Sequence, residues 1–340
     1  MKDSPKRGIK QLGRWLPGVI VSAGALFVLF RVAKWEDLKK AFVTADPLFL
    51  VVVFVLIVLS LMVRGKAWQT ILGEPVRWSQ AFFGVSEGYF LNDIFPLKVG
   101  EIGRSIYIGK LSGLGTFRAF SSVIIERAFD LAIAAILVLV TLPLVIGAAW
   151  VKPVAIGALA LVFAGLVILF FVALNQAVVA QWLTRIAEKN EFLKKHIVPR
   201  LEKLIQGFGM LTKPSQFFLS LFWIAATWVV WLSFYYLAIL EIAPGAPIWW
   251  GLFSCSIIAL GVALPSAPAG VGLFEAAMVA ALSLLGLNSS SALAYAIILH
   301  FAQVIVAVVL GVWGLMREKQ SLSSLLSRST TQPENSFSQE

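Results

Sequence analysis

The chain has 340 residues, of which 59% are apolar and only 14% are charged. Soluble domains have about half apolar and a quarter charged residues, so this chain has too few charges to cover a water-facing surface. The formal net charge of +10 would suggest nucleic acid binding in a soluble protein, but here it is typical of basic cytoplasmic loops near anionic lipid. We therefore expect a multi-spanning membrane protein without a nucleic acid partner.

The residue types that carry metal or nucleotide chemistry are scarce. The single cysteine, Cys255, excludes an intrachain disulfide and a cysteine-based zinc site, and His196 and His300 are too few for a histidine-rich metal centre. No Gly-x4-Gly-Lys-Ser/Thr sequence for ATP binding is present. The string from Gly84 to Gly88 matches a serine nucleophile motif, but its apolar helical setting favours close helix packing. We expect no cofactor, no bound metal and no enzymatic activity.

Six apolar runs approach or exceed the length that crosses a bilayer core of about 30 Å. The first run follows five basic residues and precedes Arg31 and Lys34 without a small-residue cleavage site, so we expect a retained anchor rather than a signal peptide. The second is short unless Pro47 and the residues before it contribute. The predicted spans are Leu16–Phe30, Leu48–Val63, Ala128–Trp150, Val154–Leu174, Phe217–Leu240 and Leu293–Leu315.

Two further apolar segments, Ala81–Ile108 and Trp249–Leu287, are interrupted by proline and glycine near the middle. Non-helical backbone at membrane depth is stable only when it is buried in protein or lines a wet cavity. We therefore predict two re-entrant hairpins, each of which enters and leaves on one side of the membrane. The predicted hairpin tips contain Pro96, Gly100, Pro268, Gly270 and Gly272.

The basic residues predict an orientation. With the N- and C-termini in the cytoplasm, most of the 28 lysines and arginines fall in cytoplasmic segments, among them Arg64, Lys66 and Arg77 in segment 64–80. Each half then contains two spans, a hairpin and a third span, so the second half is an inverted repeat of the first. The chain divides into a basic N-terminus 1–15, membrane halves 16–150 and 151–316, and a polar tail 317–340 that we expect to be disordered.

The cytoplasmic loop 175–215 is basic and amphipathic. Leu204 and Phe208 belong to one apolar stripe with helical spacing, and Trp182 and Ile186 belong to another. Basic amphipathic helices lie in the headgroup plane of a membrane. Packing of the same stripes against the spans would also account for the pattern.

Charged side chains at membrane depth are costly and usually face a cavity or a partner. We expect a polar cavity between the two hairpin tips, in which Arg104 and Lys98 contact a phosphate, since a guanidinium donates two parallel hydrogen bonds to such a group. Carboxylates would position these cations or carry protons. The expected substrate-binding residues are Asn92, Lys98, Glu101, Arg104, Glu126, Arg127, Asp130 and Glu275.

These groups also have structural interpretations. Glu126 and Arg127 could mark the start of a helix at the interface. Glu275 could stabilise the N-terminus of the second hairpin arm, and Lys98 could extend to the headgroups. His300 has no second histidine on its helix face, which favours a hydrogen-bonded packing role over proton transfer.

Three ordered motifs, in 88–104, 126–130 and 265–275, resemble those of a bacterial flippase-like family. This family is named after the transmembrane region of lysylphosphatidylglycerol synthase, the multiple peptide resistance factor, and the resemblance spans roughly Leu12 to Arg317. It implies membrane placement and a lipid-translocating role. The motif residues that the resemblance carries over are Asn92, Pro96, Gly100, Glu101, Arg104, Glu126, Arg127, Asp130, Pro268, Gly270, Gly272 and Glu275.

In that bifunctional protein a C-terminal cytosolic domain makes the aminoacyl lipid, and the membrane part is held to move it between leaflets. This chain ends at Glu340, so we expect the membrane part alone. We expect an all-α protein of the inner or plasma membrane that translocates an anionic phospholipid or a lipid-linked headgroup. The open alternatives are a small-solute or ion secondary transporter, a membrane-bound transferase or hydrolase, and an accessory subunit for a lipid-modifying synthase or glycosyltransferase.

Overall fold

The structure, a computed structural model, describes residues 45–73, 75–95, 98–145, 151–188, 190–264 and 266–317, together with Phe27, Glu36, Lys39 and Val43. Every regular element within these ranges is helical, which confirms the all-α expectation for this part of the chain. Of the expected first span Leu16–Phe30 only Phe27 is described. The N-terminus 1–15, the tail after Arg317 and the predicted tip residue Pro96 lie outside the described residues.

From residue 45 onward, the first four helices are two long ones on either side of an interrupted pair. Asp46 starts the first helix by accepting the N–H of Leu48 at 2.9 Å, and Gly73, with a φ of 74°, ends it. The elements are α1 (Pro47–Leu72), α2 (Trp78–Ile94), α3 (Val99–Leu111) and α4 (Thr116–Val145). The interruption between α2 and α3, residues 95–98, is called the first break.

The remaining helices include a second interrupted pair. They are α5 (Val151–Leu174), α6 (Gln176–Ala187), α7 (Val198–Gly207), α8 (Pro214–Ile242), α9 (Ile248–Ala263), α10 (Leu273–Leu284) and α11 (Ser289–Arg317). A π-helical turn, Leu193–Ile197, precedes α7, and a 3-10 turn, Phe208–Thr212, follows it. The interruption between α9 and α10, which contains the 3-10 turn Pro268–Gly270, is called the second break.

Four helices, α1, α4, α8 and α11, are long and apolar enough to cross a bilayer. A fifth span is present if Leu159–Leu174 and Gln176–Ala187, which meet at a bend of 91°, are counted together. Two predicted span ends are misplaced: helix α1 continues past Val63, and helix α4 begins well before Ala128. These extensions move charged residues from expected loops or helix ends into helix interiors.

Helices α1–α4 and α8–α11 have matching lengths and matching contacts. The lengths are 26, 17, 13 and 30 residues in the first set and 29, 16, 12 and 29 in the second. Helix α1 packs on α8, α2 packs on α11, and α9 packs on α4. Each interrupted segment therefore lies against the last long helix of the other set.

The segment between α5 and α8 has two environments. Helix α7 packs against α4 and buries Ile205, and Phe208 after it is also buried, so this apolar stripe belongs to the helix packing. Helix α6 instead exposes Val178, Trp182 and Ile186 along one face. The exposed stripe of α6 is the one that matches an interfacial helix.

Candidate functional site

A cavity of about 460 Å³ lies where the two breaks meet. Lys98 Nζ, at the end of the first break, donates to the carbonyl oxygen of Ala263, at the end of α9, at 3.2 Å. Helix α2 also packs against Pro268–Gly270 of the second break. All eight helices of the two matching sets contribute residues to the cavity wall.

Each break contains a non-glycine residue in the left-handed conformation. Lys98 has a φ of 55° and Ala269 a φ of 58°, and no other non-glycine residue in the described ranges has a positive φ. This conformation costs an L-residue about 1–2 kcal/mol, and it persists where surrounding contacts hold it. Here Lys98 is held through Ala263, while the carbonyl of Ala269 accepts from His300 Nε2 at 2.9 Å.

Glu126 is the centre of a buried charge network on α4. Arg64 Nη2 lies 2.6 Å from its Oε1, and Arg104 donates to Oε1 and Oε2 at 2.9 and 3.2 Å. A buried carboxylate needs such partners because desolvation of an unpaired charge is costly. Since α4 begins at Thr116, the interpretation of Glu126 as a helix-start residue is wrong.

Asp130 extends the network towards the cavity. Its Oδ1 accepts from Arg64 Nη1 at 2.9 Å and from Trp228 Nε1 at 3.1 Å, and its Oδ2 contacts Arg64 and Arg127. Arg127 Nε lies 2.7 Å from Glu101 Oε1. With Arg104 and Glu126 included, three arginines face three carboxylates, so the network is formally neutral.

The predicted end of the second span at Val63 placed Arg64 in the segment 64–80 after the span, whereas the structure places it inside helix α1. The residue is 1% exposed inside α1, and its guanidinium lies 5.3 Å from the ring of Trp231. The change from apolar to basic residues at Arg64 suggests the end of a span. The stronger helix-stop signal comes later, where Gly73 is followed by Pro75.

Arg104, expected to contact phosphate, does not line the cavity. It is buried, it bonds only Glu126 within the described ranges, and its guanidinium lies 4.7 Å from the ring of Trp68. Asn92 lines the cavity, yet its Oδ1 accepts the N–H of Gly100 at 2.8 Å and so caps the start of α3. Arg104 therefore pairs with a buried carboxylate, and Asn92 caps a helix.

The second break has its own charged pair. Glu275 Oε2 accepts the N–H of Gly272 at 2.7 Å, which caps α10, and Oε1 lies 2.6 Å from His300 Nδ1. The capping interpretation of Glu275 and the hydrogen-bonded interpretation of His300 therefore describe one cluster. His300 lines the cavity, whereas Glu275 lies behind it.

The structure brings together five of the eight expected substrate-binding residues in the cavity wall: Asn92, Lys98, Glu101, Arg127 and Asp130. Three do not line it: Arg104, Glu126 and Glu275. Of the described tip residues Gly270 lines the cavity, and Gly100, Pro268 and Gly272 do not. Polar wall residues beyond the expected set are Ser60, Arg64, Tyr89, Asp93, Tyr235, Ser266, His300 and Gln303.

Lys98 and Asp93 differ from the other charged residues of the wall. Within the described ranges neither lies within ion-pair distance of an opposite charge. Lys98 bonds a carbonyl, and the buried Oδ2 of Asp93 has no hydrogen-bond partner there. These two groups retain bonding capacity for a ligand. The same ranges contain no group of three side chains that could hold a metal ion.

The fold and the site define an all-helical membrane protein whose apolar helices enclose a charged cavity. The chain belongs to the family described as the lysylphosphatidylglycerol synthase TM region, whose model matches residues 15–311. This match confirms the resemblance drawn from the three sequence motifs.

Similar proteins include UPF0104 membrane proteins of archaea. The chain is 29% identical to MJ1595 of Methanocaldococcus jannaschii over 34% of this chain and 36% of that protein, and 30% identical to one from Methanothermobacter thermautotrophicus over 28% of each. It is 25% identical to MJ1078 of Methanocaldococcus jannaschii over 65% of this chain and 92% of that protein. The chain thus spans about a third of the first two relatives. No solved structure matches it.

Proposed function

We propose that the protein moves an anionic phospholipid or a lipid-linked headgroup between the leaflets of the inner or plasma membrane. The headgroup enters the cavity between the two breaks while the acyl chains stay in the bilayer. The observation that carries this proposal is the Lys98 ammonium, which lines the cavity and bonds only a carbonyl among the described residues.

The lengths of the interrupted helices support re-entrant hairpins. The arms contain 17, 13, 16 and 12 residues. At 1.5 Å per residue these arms extend about 18–26 Å, which is less than the bilayer core of about 30 Å. The two arms of each segment also pack against each other. Six spans, cytoplasmic termini and inverted halves 16–150 and 151–316 complete the proposed topology.

The cavity chemistry supports a phosphate-bearing headgroup. Lys98 and the partly exposed Arg127 are cations at the wall, and a phosphate would give Lys98 a stronger partner than a carbonyl. Arg64 and Arg104 hold the carboxylates of α4 and are assigned positioning roles. Apolar residues such as Ile57, Leu131 and Trp228 form the rest of the wall.

Transfer of labelled lipids in proteoliposomes tests the proposal. Fluorescent phosphatidylglycerol, phosphatidylethanolamine and phosphatidylcholine are compared, and dithionite quenches the label in the outer leaflet. A charge-assisted hydrogen bond contributes about 1.5–3 kcal/mol, so Lys98→Gln should slow transfer of the anionic lipid about 10- to 100-fold. Lys110→Gln, an exposed lysine outside the cavity wall, is the matched control and should leave the rate unchanged.

Two results would contradict the proposal: no lipid moves faster than in protein-free vesicles, or Lys98→Gln matches the parent for every headgroup. If no lipid is transferred but a soluble solute is taken up, the small-solute transporter is favoured. Transfer that occurs only after a lipid-modifying synthase is added would favour the accessory role.

A further inference from the structure

The two matching helix sets contain one matching ion pair each. The third residue of α3 is Glu101, and the third residue of α10 is Glu275. The twelfth residue of α4 is Arg127, and the twelfth residue of α11 is His300. Glu101 lies 2.7 Å from Arg127 and Glu275 lies 2.6 Å from His300. The two pairs differ in one respect, because arginine is always charged and histidine titrates near neutral pH.

The contacts of His300 require a hydrogen on Nε2 and a second hydrogen between Nδ1 and Glu275. The second hydrogen is carried either by Nδ1 or by the Glu275 carboxyl group. The Ala269 carbonyl can only accept, so Nε2, 2.9 Å away, carries a hydrogen. The 2.6 Å contact between Nδ1 and Glu275 Oε1 needs a second hydrogen between its two atoms. Removal of either hydrogen leaves two lone pairs facing each other. The His300–Glu275 pair in this geometry therefore holds one proton more than a neutral histidine with an ionised glutamate.

The surroundings of the imidazole come from four helices and the second break. Glu275 and the ring of Phe274, 4.7 Å from the imidazole ring, belong to α10. Asp93 of α2 lines the same cavity as the imidazole. Arg64 of α1 and Tyr235 of α8 line the cavity without a hydrogen bond or ion pair to the imidazole in the described ranges. Within the described ranges, Glu275 is thus the charged group that contacts the imidazole directly.

We propose that the His300–Glu275 pair is a proton-binding site that holds the second break in place and releases it when the proton leaves. His300 connects α11 to both the Ala269 carbonyl of the break and the first turn of α10. Loss of one contact frees backbone that is already in a left-handed conformation. The proton is exchanged with water, so only an N–H or O–H bond forms or breaks. The coupling of this release to headgroup access rests on the proposed function.

A spin label at Val271 measures the release directly. Val271 lies between Ala269 and Gly272 and is 41% exposed, and Cys255→Ala leaves Val271→Cys as the single attachment site in the full chain. The label is attached at one pH, and its mobility in proteoliposomes is followed by electron paramagnetic resonance from pH 5 to 8.5. We expect the mobility to rise with pH across this range, as the proton leaves the pair.

The chain has two histidines, which provides a matched control. His300→Gln keeps a side chain that donates hydrogen bonds but does not titrate, so the mobility should be constant across the pH range. His196→Gln, in the π-helical turn before α7, should titrate as the parent does. If His300→Gln does not fold, Glu275→Gln replaces it, since it removes the carboxylate that stabilises the charged ring. A constant signal in the parent, or the same midpoint in His300→Gln, would overturn the proposal.

Lipid transfer under an imposed pH gradient separates this proposal from the proposed function. Transfer in the parent and in His196→Gln should respond to the gradient, and transfer in His300→Gln should not. If the mobility of the label changes with pH but no lipid moves, the proton site is supported and the lipid function is rejected. Lipid movement with a constant label signal would support the lipid function and reject the proton site.

Discussion

At the scale of single residues, buried ion pairs connect the helices α1, α3 and α4. Arg64 bonds Glu126 and Asp130 from within α1, and Arg104 bonds Glu126 from α3. Ion pairs of this kind add little net stability when complete, but removal of one member leaves an uncompensated buried charge.

Arg64→Met should therefore destabilise the protein by about 3–5 kcal/mol, because Asp130 then loses its closest cation and Glu126 loses one of three. The fall in the thermal unfolding midpoint of detergent-purified protein measures the effect. Arg77→Met, at an exposed arginine, is the control and should change stability by less than about 0.5 kcal/mol. Equal midpoints for the two variants would show that the network is not a stabilising unit.

The sequence predicted part of this network. Glu126 and Asp130 are four residues apart, so helical periodicity placed them on one face. Their partner Arg64 could not be found in this way, because it is 62 and 66 positions away in the chain. Local periodicity gives the face on which a charge lies, whereas tertiary packing determines the partner.

At the scale of helices, glycine determines how closely the arms of the first interrupted segment approach. A Cβ atom at Gly100 would overlap the carbonyl of Gly88, so α3 can lie against α2 only with glycine at that position. The same contact brings the N–H of Gly100 to Asn92. The position of Glu101 depends on this approach.

Gly100→Ala should push α3 away from α2 and destabilise the protein by about 1–3 kcal/mol, as overpacking does elsewhere. It should also slow lipid transfer, because Glu101 and Lys98 are displaced with the helix. Gly165→Ala on α5, where nothing lies within 4 Å of the added atom, is the matched control. The result to look for is a lower unfolding midpoint in the first variant only.

The exposed apolar face of helix α6 predicts that this helix lies at a shallow depth in the membrane. It follows α5 at a bend of 91° and exposes Trp182 and Ile186, which suits a helix in the headgroup plane. In the Cys255→Ala background, a spin label at Trp182→Cys should lie shallower than one at Phe170→Cys on α5. Depth is measured from relaxation by oxygen and by a water-soluble nickel complex. Equal depths would exclude the interfacial position.

Helix boundaries were less predictable than helix breaks. Proline and glycine indicated both interruptions correctly, because these residues disrupt helical hydrogen bonding or favour positive φ. Hydropathy alone ended the second predicted span at Val63 and began the third at Ala128, since paired charges inside a helix look like loop residues. The pairing that permits such charges is visible only in three dimensions.

At the scale of the whole molecule, the matched sets α1–α4 and α8–α11 predict opposite orientations in the membrane. Lys110 at the end of α3 and Asn288 just before α11 are both exposed, and each lies where the second short helix of its set leads into the last long helix. In the Cys255→Ala background, a membrane-impermeant maleimide added to intact cells should label Asn288→Cys, while Lys110→Cys should react only after the cells are opened. Labelling of both from one side would reject the inverted repeat.

The reciprocal packing of the two sets has a consequence for biosynthesis. Helix α2 packs on α11 and helix α4 packs on α9, so part of the buried surface of each set is covered only by the other set. A ribosome releases α1–α4 into the bilayer before α9 and α11 exist, so the surfaces that these two helices cover face lipid in the nascent first set. Two gene fragments, cut between α7 and α8, should therefore yield degraded products when expressed singly and a folded complex when expressed together.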